Sequence, residues 1–187
     1  MNRGAGHAQA VDCPVAGLGP CRARKPWPGF LLRVLLALAA VLAGGAYLGT
    51  RYHIGIDDQV VKCLPPYTVF LIDRWDKHIR RDRPFVFRSE RMDPYFPDGT
   101  IVIKLAEGLP GDQIRVFPEG VTVNGKTVAG PLVLAATVGR SRRNFAREGV
   151  VPPFAYVAIG RHPQSFDSRY WGFVRAHQVI GRAYALF

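Results

Sequence analysis

An apolar run of about 20 residues, over positions 30–49, constrains the fold of this chain more than any other feature. A helix of that length crosses a hydrocarbon layer of roughly 30 Å. Basic residues precede the run or lie at its start: Arg3, Arg22, Arg24, Lys25 and Arg33. Because cytoplasmic flanks carry the excess of Lys and Arg, we expect a single transmembrane anchor over residues 26–50, with the N-terminus in the cytoplasm and everything after Arg51 outside it.

The alternative for this run is a cleaved secretory signal, which also combines a basic start with an apolar stretch. The run exceeds the roughly 7 to 15 residues usual for such a stretch, and Gly44-Gly45-Ala46 matches a cleavage site only loosely. An uncleaved anchor is therefore favoured. Residues 1–25 are rich in Gly, Ala, Pro and Arg without periodicity, which predicts a disordered cytoplasmic tail.

Residues 51–187 have the pattern of an extracytoplasmic β domain. Short runs rich in Val, Ile, Phe and Tyr are separated by Gly, Pro and Asp, and they predict strands over 68–72, 84–87, 100–104, 113–117, 121–123, 156–159 and 178–186. Asn124-Gly125 indicates a hairpin between Val121-Thr122-Val123 and Lys126-Thr127-Val128, because a type I′ turn needs positive φ at both central residues. We expect a mainly β fold, with antiparallel sheets in a sandwich or partial barrel, preceded by one N-terminal transmembrane helix.

The formal net charge of +11 raises the question of nucleic-acid binding. The Lys and Arg residues are scattered, and no helix-turn-helix, zinc-ligand or RNA-binding signature accompanies them, so we expect no nucleic-acid partner. A basic domain tethered outside a bilayer is better matched to anionic membrane lipid or to acidic partners. We interpret the densest basic run as a solvated loop; it comprises Arg140, Arg142, Arg143 and Arg147.

Lys104 lies in an apolar predicted strand, where a charged ammonium group is unfavourable unless it has a specific role. If the amine is removed from water, its uncharged form is favoured and becomes a proton acceptor. Cys63 is the one cysteine of the predicted β domain, since Cys13 and Cys21 belong to the predicted tail. A thiol in an oxidising compartment is either a small buried hydrophobe or a reactive group, and its position alone leaves both open. The histidines lack the spacing of a metal site, so no cofactor is expected.

Several segments follow one another in a characteristic order: Cys63-Leu64-Pro65-Pro66-Tyr67-Thr68-Val69-Phe70-Leu71-Ile72, Arg80-Arg81-Asp82, Lys104 with Gly108-Leu109-Pro110-Gly111-Asp112, Val151-Pro152-Pro153, and Asp167-Ser168-Arg169-Tyr170-Trp171-Gly172. In this order they resemble the boxes of the type I signal peptidase family. The similarity is greatest to its conjugative-transfer (TraF-type) branch, and it covers residues 30–187.

The resemblance implies a peptidase in which a nucleophile attacks the scissile carbonyl and a neutral lysine takes the nucleophile's proton. By matching position, Lys104 is the general base, and Cys63 stands where the family places its serine. A thiol is more acidic and more nucleophilic than a hydroxyl, so the replacement is chemically competent.

A second register would place the nucleophile in Ser89-Glu90-Arg91-Met92-Asp93-Pro94, which resembles the family's Ser-x-Ser-Met-x-Pro box. The nucleophile position would then be Arg91, which cannot attack a carbonyl. Arg80-Arg81-Asp82 also fits the family's middle box only if Cys63 is the nucleophile. We therefore favour Cys63 and interpret Ser89 as a surface serine.

The last box supplies candidates for support of the base. Asp167 and Arg169 are candidates for an ion pair that holds the strand behind Lys104. Ser165 or Ser168 is a candidate for a hydrogen bond that aims the neutral amine. The alternative for this segment is a turn that only precedes an aromatic core residue.

Other positions depart from the family pattern. Arg161 follows Gly160 where the family has an acidic residue, Leu105 replaces a basic residue after the lysine, and Arg81 replaces a glycine in the middle box. An inactive relative kept as an assembly scaffold is therefore a second hypothesis.

The expected site lies near the outer face of the bilayer, because only a short segment separates Cys63 from the predicted anchor. An apolar lip beside it is expected to accept an extended peptide by strand addition or to enter the lipid interface. The candidate residues of this lip are Leu64, Pro65, Pro66, Tyr67, Tyr95 and Phe96.

Two functions remain open from the sequence. The first is a membrane-anchored signal peptidase of the inner membrane, with its catalytic domain in the periplasm. Its substrates would be precursor proteins cleaved after small residues, such as pilin or another component of a conjugative secretion apparatus. The second is a non-catalytic envelope assembly protein on the same β scaffold.

Overall fold

The computed structural model describes residues 27–57, 62–93 and 95–187. The first element is helix α1, Trp27–Arg51, with 25 residues and no buried side chain. By length and composition it is able to cross a membrane, which agrees with the predicted helix. The tail expected over residues 1–25 lies outside the described residues. The chain divides into two compact units, Met1–Ala43 and Gly44–Phe187, and the second contains all the strands.

The larger of two antiparallel sheets has seven strands in the order β1-β2-β11-β3-β4-β9-β10. Strand β11 is the last in the chain, yet it pairs with β2 on one side and β3 on the other. The centre of this sheet therefore forms from segments far apart in sequence. Its strands are β1 Tyr52–Ile56, β2 Val69–Asp73, β3 Pro84–Arg88, β4 Ile101–Gly108, β9 Ala155–Ile159, β10 Val174–Arg175 and β11 Val179–Ala185.

The smaller sheet has four strands in the order β7-β6-β5-β8. They are β5 Gln113–Phe117, β6 Gly120–Val123, β7 Lys126–Ala129 and β8 Arg147–Val150. Asn124 and Gly125 join β6 to β7 with φ of 50° and 78°, so the predicted hairpin with two positive φ angles is confirmed.

Two apolar clusters cover the two faces of the larger sheet. On β3, Phe85 and Phe87 belong to one cluster and Val86 to the other, as expected from the alternation of side chains along a strand. The first cluster also contains Ile114 and Val116 from the smaller sheet, so the two sheets share one core. Mainly β architecture with two packed antiparallel sheets is thus confirmed.

The sequence did not predict three of the strands. Strand β1 contains a glycine and two exposed isoleucines, β8 is largely exposed, and β10 has only two residues. The short helix α2, Ser168–Trp171, was also not predicted. The solvated-loop interpretation is wrong for Arg147, which begins β8 and donates from its partly buried guanidinium to the carbonyl oxygens of Ser168 and Arg169.

Candidate active site

Lys104 lies on β4 and is fully buried. Its Nζ donates a hydrogen bond to Cys63 Sγ over 2.6 Å and another to Ser165 Oγ over 2.8 Å. The ring of Phe96 lies 5.8 Å from the same nitrogen. A buried lysine amine is therefore held against a thiol and a hydroxyl, inside an otherwise apolar surrounding.

Cys63 lies before β2 in a segment that is tied to the turn after β9. The carbonyl oxygen of Cys63 accepts the backbone N–H of Arg161 over 2.8 Å. Its thiol is nearly buried, with a residue exposure of 8%. Backbone contacts between two segments distant in sequence thus fix the position of the sulfur relative to Lys104.

Ser165 approaches the end of β9 unusually closely. A Cβ atom on Gly160 would lie 2.1 Å from Ser165 Oγ, which is far inside van der Waals contact. Ser165 is further held by its own N–H, which donates to the carbonyl oxygen of His162 over 3.0 Å. Glycine at position 160 is therefore a steric requirement for the Ser165–Lys104 hydrogen bond.

Asp167 and Arg169 form a buried, two-pronged ion pair. Arg169 Nε lies 2.8 Å from Asp167 Oδ1, and Arg169 Nη2 lies 2.9 Å from Oδ2. Asp167 Oδ2 also accepts the N–H of Gly160 over 3.0 Å, while Arg169 Nη2 donates to the carbonyl oxygen of Ser165 over 2.9 Å. The pair thus holds both ends of the turn that carries Ser165 to the lysine.

Of the two serines considered for aiming the amine, the geometry selects Ser165. Ser168 Oγ instead accepts the backbone N–H of Ala158 on β9 over 2.8 Å. Ser168 thereby fastens α2 to the strand next to β4. The two serines have separate roles in holding one loop.

The interpretation of Ser89 as a surface serine is wrong, since its side chain is fully buried. Its Oγ donates to the carbonyl oxygen of Pro97 over 2.5 Å, and its N–H donates to that of Thr100. Both contacts close the loop between β3 and β4. Among the residues that the structure describes, Lys104 Nζ is hydrogen-bonded to Cys63 and Ser165 and not to Ser89.

The predicted lip residues do not form one surface. Phe96 lines a cavity of about 300 Å³ together with Cys63, whereas Leu64, Pro65, Pro66 and Tyr67 line a different one. Leu64 and Phe96 are buried, and the ring of Tyr95 packs on Phe166 at 4.7 Å. We name the first space the apolar cavity; its walls include Ile54, Ile72, Phe96, Ile101, Val102 and Ile103.

The second space, of about 640 Å³, is named here the basic groove. Its lining includes Leu64, Arg80, Arg83, Leu105, Arg161 and Arg182. Leu64 directly follows Cys63 in the chain and Leu105 directly follows Lys104. The groove therefore adjoins the contact between Lys104 and Cys63. The sequence did not single out Arg83 or Arg182 for the site, because single arginines on a basic chain carry no motif.

Two carboxyl groups contact each other next to the basic groove: Asp82, which lines it, and Glu107 on β4. Partial burial and a hydrogen bond with Asp82 raise the pKa of Glu107 to about 7. Arg161 and Lys126 act in the opposite direction on the same carboxyl group. Near neutral pH, the carboxyl group of Glu107 is therefore partly protonated.

The buried contact between Lys104 and Cys63 places an amine beside a thiol, two groups able to act as proton acceptor and nucleophile. The family model described as signal peptidase, peptidase S26, matches residues 30–187 of this chain. The chain belongs to that family.

Individual relatives agree with this family. The chain is 37% identical over 87 residues to the probable signal peptidase I-2 of Synechocystis sp., covering 46% of this chain and 37% of the relative. It is 32% identical over 114 residues to signal peptidase I of Bacillus caldolyticus, covering 56% of this chain and 59% of the relative. It is 32% identical over 95 residues to signal peptidase I V of Bacillus subtilis, covering 46% of this chain and 56% of the relative.

The matched segments span between 37% and 59% of the length of these curated relatives. Among solved structures, a signal peptidase I from Enterococcus faecalis is similar at 27% identity with a TM-score of 0.38, over 57% of this chain and 97% of that one.

Proposed function

We propose that this chain is a membrane-anchored signal peptidase that cleaves precursor proteins with a Cys63–Lys104 dyad. The observation that carries the proposal is the 2.6 Å contact between Lys104 Nζ and Cys63 Sγ in a buried position. Burying a lysine amine costs free energy, and a chain that needed only a stable β scaffold would gain by an apolar residue there. A catalytic role explains why the lysine is present.

The reaction begins when the neutral amine of Lys104 takes the proton of the Cys63 thiol, and the sulfur attacks the scissile carbonyl carbon. The carbonyl oxygen becomes an oxyanion, and the intermediate collapses as Lys104 returns the proton to the departing amine. A thioester remains on Cys63. A water molecule then gives its proton to Lys104 and attacks the thioester, which releases the new carboxyl end and the thiol.

The apolar cavity supports cleavage after small or apolar residues. It contains Cys63, and its other walls come from β1, β2, β4, Asp57 and Phe96. A mostly apolar cavity of about 300 Å³ at the sulfur suits short apolar side chains of an extended peptide. The residues that precede the cleaved bond are thus assigned to this cavity.

For the location, we propose an anchor in the inner membrane and a catalytic unit in the periplasm. The support comes from α1, which is long and apolar enough to span a membrane, and from the basic residues before it. For the substrate, we propose pilin or another precursor of a conjugative secretion apparatus. The support for this finer assignment is the resemblance of the sequence boxes to the conjugative-transfer branch.

Processing of a precursor by purified full-length protein in detergent tests the dyad. Cys63→Ala and Lys104→Met are each expected to lower the rate by about 10³-fold or more, since the first removes the nucleophile and the second the general base. Lys104→Met keeps an unbranched side chain in the buried site, which limits the loss of packing. Ser89→Ala is the control and is expected to process at nearly the wild-type rate.

Alkylation adds a readout specific to the thiol. In a protein with Cys13→Ser and Cys21→Ser, a maleimide is expected to abolish processing, and bound substrate is expected to slow the inactivation. The further variant Cys63→Ser is expected to keep measurable activity and to resist the reagent. Absence of processing by the wild-type protein would indicate instead a non-catalytic envelope assembly protein. Full activity of both Cys63→Ala and Lys104→Met would exclude the Cys63–Lys104 dyad, and loss of activity in Ser89→Ala alone would move the nucleophile to Ser89.

A further inference from the structure

We propose that the basic groove binds an acidic segment of the substrate on the carboxyl side of the cleaved bond, so that this peptidase selects for acidic residues just after the cut. The inference rests on the proposed function and adds to it a substrate class. It concerns the half of the substrate that becomes the new N-terminus.

The apolar cavity and the groove both adjoin the contact between Lys104 and Cys63. Along β4, Val102 and Ile103 line the apolar cavity, Lys104 contacts the thiol, and Leu105 lines the groove. Cys63 lines the cavity and Leu64 the groove. An extended peptide whose scissile bond meets the sulfur therefore has one half in each space.

The chemistry of the two spaces fixes the direction of the peptide. The apolar cavity suits the small apolar residues that precede the cleaved bond. The residues after that bond then occupy the groove. There they meet three exposed guanidinium groups, those of Arg80, Arg83 and Arg161.

These arginines are available to a ligand. Within the described ranges 27–57, 62–93 and 95–187, no carboxylate lies within ion-pair distance of Arg80, Arg83 or Arg161. The fourth arginine of the groove, Arg182, is held by Asp76 at 2.8 Å and contributes a fixed wall. The groove therefore presents an excess of positive charge, and planar guanidinium groups match carboxylates well.

An acidic residue that lines the groove is already engaged. Asp82 lines the groove, and its carboxyl group is hydrogen-bonded to that of Glu107. The raised pKa of Glu107, about 7, leaves its carboxyl group partly protonated near neutral pH. These two carboxyl groups therefore do not neutralise three arginines.

Cleavage of matched peptides by the full-length protein in detergent tests the proposal. Three peptides share all residues up to the cleaved bond and differ at the next three positions, which are acidic, neutral or basic. We expect kcat/KM on the order of tenfold higher for the acidic than for the neutral peptide at low salt, because several exposed ion pairs each contribute little. The preference should shrink in high salt.

Charge reversal at the groove should reverse the preference. The double variant R83E/R161E is expected to cleave the basic peptide faster than the acidic one. The matched control is Arg140→Glu, an exposed arginine outside the groove, which is expected to keep the wild-type order. Equal kcat/KM for all three peptides in the wild-type protein would overturn the proposal while leaving the peptidase intact.

A binding measurement separates the groove from the catalytic proposal. With Cys63→Ala full-length protein, fluorescence anisotropy of the labelled acidic and basic peptides is expected to show tighter binding of the acidic one, by about tenfold. R83E/R161E should abolish that difference. If no precursor is cleaved but the acidic peptide still binds selectively, the proposed function fails and the groove assignment stands.

Binding to anionic vesicles tests the alternative that the groove contacts a lipid surface. Vesicles that contain phosphatidylglycerol are expected to bind wild-type and R83E/R161E protein equally. If the double variant loses vesicle binding and keeps the peptide preference unchanged, the groove serves a lipid surface and the peptide assignment is wrong.

Discussion

The buried cluster around Lys104 and the basic groove beside it hold their charges in opposite ways. In the cluster, Lys104 and the Asp167–Arg169 pair lie away from water, and each is held by specific hydrogen bonds over 2.6–3.1 Å. In the groove, Arg80, Arg83 and Arg161 are exposed, and water and salt compete for them. The cluster should therefore respond strongly to single substitutions, and the groove only modestly.

The largest effect is expected at the buried ion pair. Asp167→Asn leaves the guanidinium of Arg169 buried without its counter-charge and weakens the bond to Gly160. We expect the free energy of unfolding to fall by about 3–5 kcal/mol. Chemical unfolding in detergent measures it.

The exposed pair of Arg115 and Glu148, at 3.6 Å, serves as the matched control. Glu148→Gln should change the free energy of unfolding by less than about 1 kcal/mol. Equal effects of the two substitutions would contradict the difference drawn between buried and exposed charges.

A smaller effect is expected at Gly160, which packs closely against Ser165 in the buried cluster. Gly160→Ala places a methyl group against Ser165 Oγ and displaces the turn that orients Lys104. We expect kcat for precursor cleavage to fall by about 10²-fold, because dyad geometry is sensitive to shifts of about 1 Å. Gly149→Ala on β8, where an added Cβ meets nothing within 4 Å, should leave kcat unchanged.

Removal of the Ser165 hydroxyl from the cluster should lower kcat by less than Gly160→Ala does. Ser165→Ala removes the acceptor of one Lys104 hydrogen bond and leaves the contact with Cys63 in place. We expect kcat to fall by about tenfold with KM and thermal stability nearly unchanged, since one lost hydrogen bond is worth about 1 kcal/mol. An unchanged kcat would show that Cys63 alone orients the amine.

The smallest effect is expected at the edge of the groove. The folded pKa of Glu107 is about 7, raised from 4.5 by burial and by Asp82, with Arg161 and Lys126 acting against the shift. A raised carboxyl pKa means that stability is highest below pH 4.5 and falls as the pH rises through 7. Glu107→Gln should therefore be more stable than wild type at pH 8 by less than about 1 kcal/mol, with no gain at pH 4.

Ionisation of Glu107 should also change how tightly the basic groove binds the acidic peptide. Above pH 7, ionised Glu107 adds negative charge beside Arg161, so binding of the acidic peptide should weaken in wild type and less so in Glu107→Gln. Anisotropy titrations at pH 6 and pH 8 measure this, with Glu119→Gln as a surface control. An identical pH response of Glu107→Gln and wild type would exclude Glu107 as the source.

The smaller sheet was more accessible to prediction than the larger one. Strand β5 was predicted with its observed bounds, and the hairpin at Asn124-Gly125 followed from local turn chemistry. In the larger sheet, β1 was missed, and the insertion of β11 between β2 and β3 has no local signal. Pairing of residues 92 to 115 positions apart is decided by packing and not by the turn residues.

The candidate active site likewise has features that the sequence predicted and features that it did not. The motifs indicated Lys104, Cys63 and the Asp167–Arg169 segment as candidates, and their catalytic roles stay predictions. Sequence reasoning did not find the burial of Ser89, which depends on how the loop before β4 closes. It also joined Phe96 and Tyr67 in one lip, whereas the fold places them beside two different spaces.

By itself, the sequence determined the apolar helix and the mainly β composition of the second unit, and it indicated Cys63 and Lys104 as candidates, because these depend on local hydrophobicity, turn propensity and motif order. Only the tertiary structure decided that Ser165 contacts the Lys104 amine, that Gly160 makes room for Ser165, and that four separate arginines line one groove. These properties arise from contacts between β4, the segment at Cys63 and the turn after β9, which lie far apart along the chain and meet only when the larger sheet is assembled.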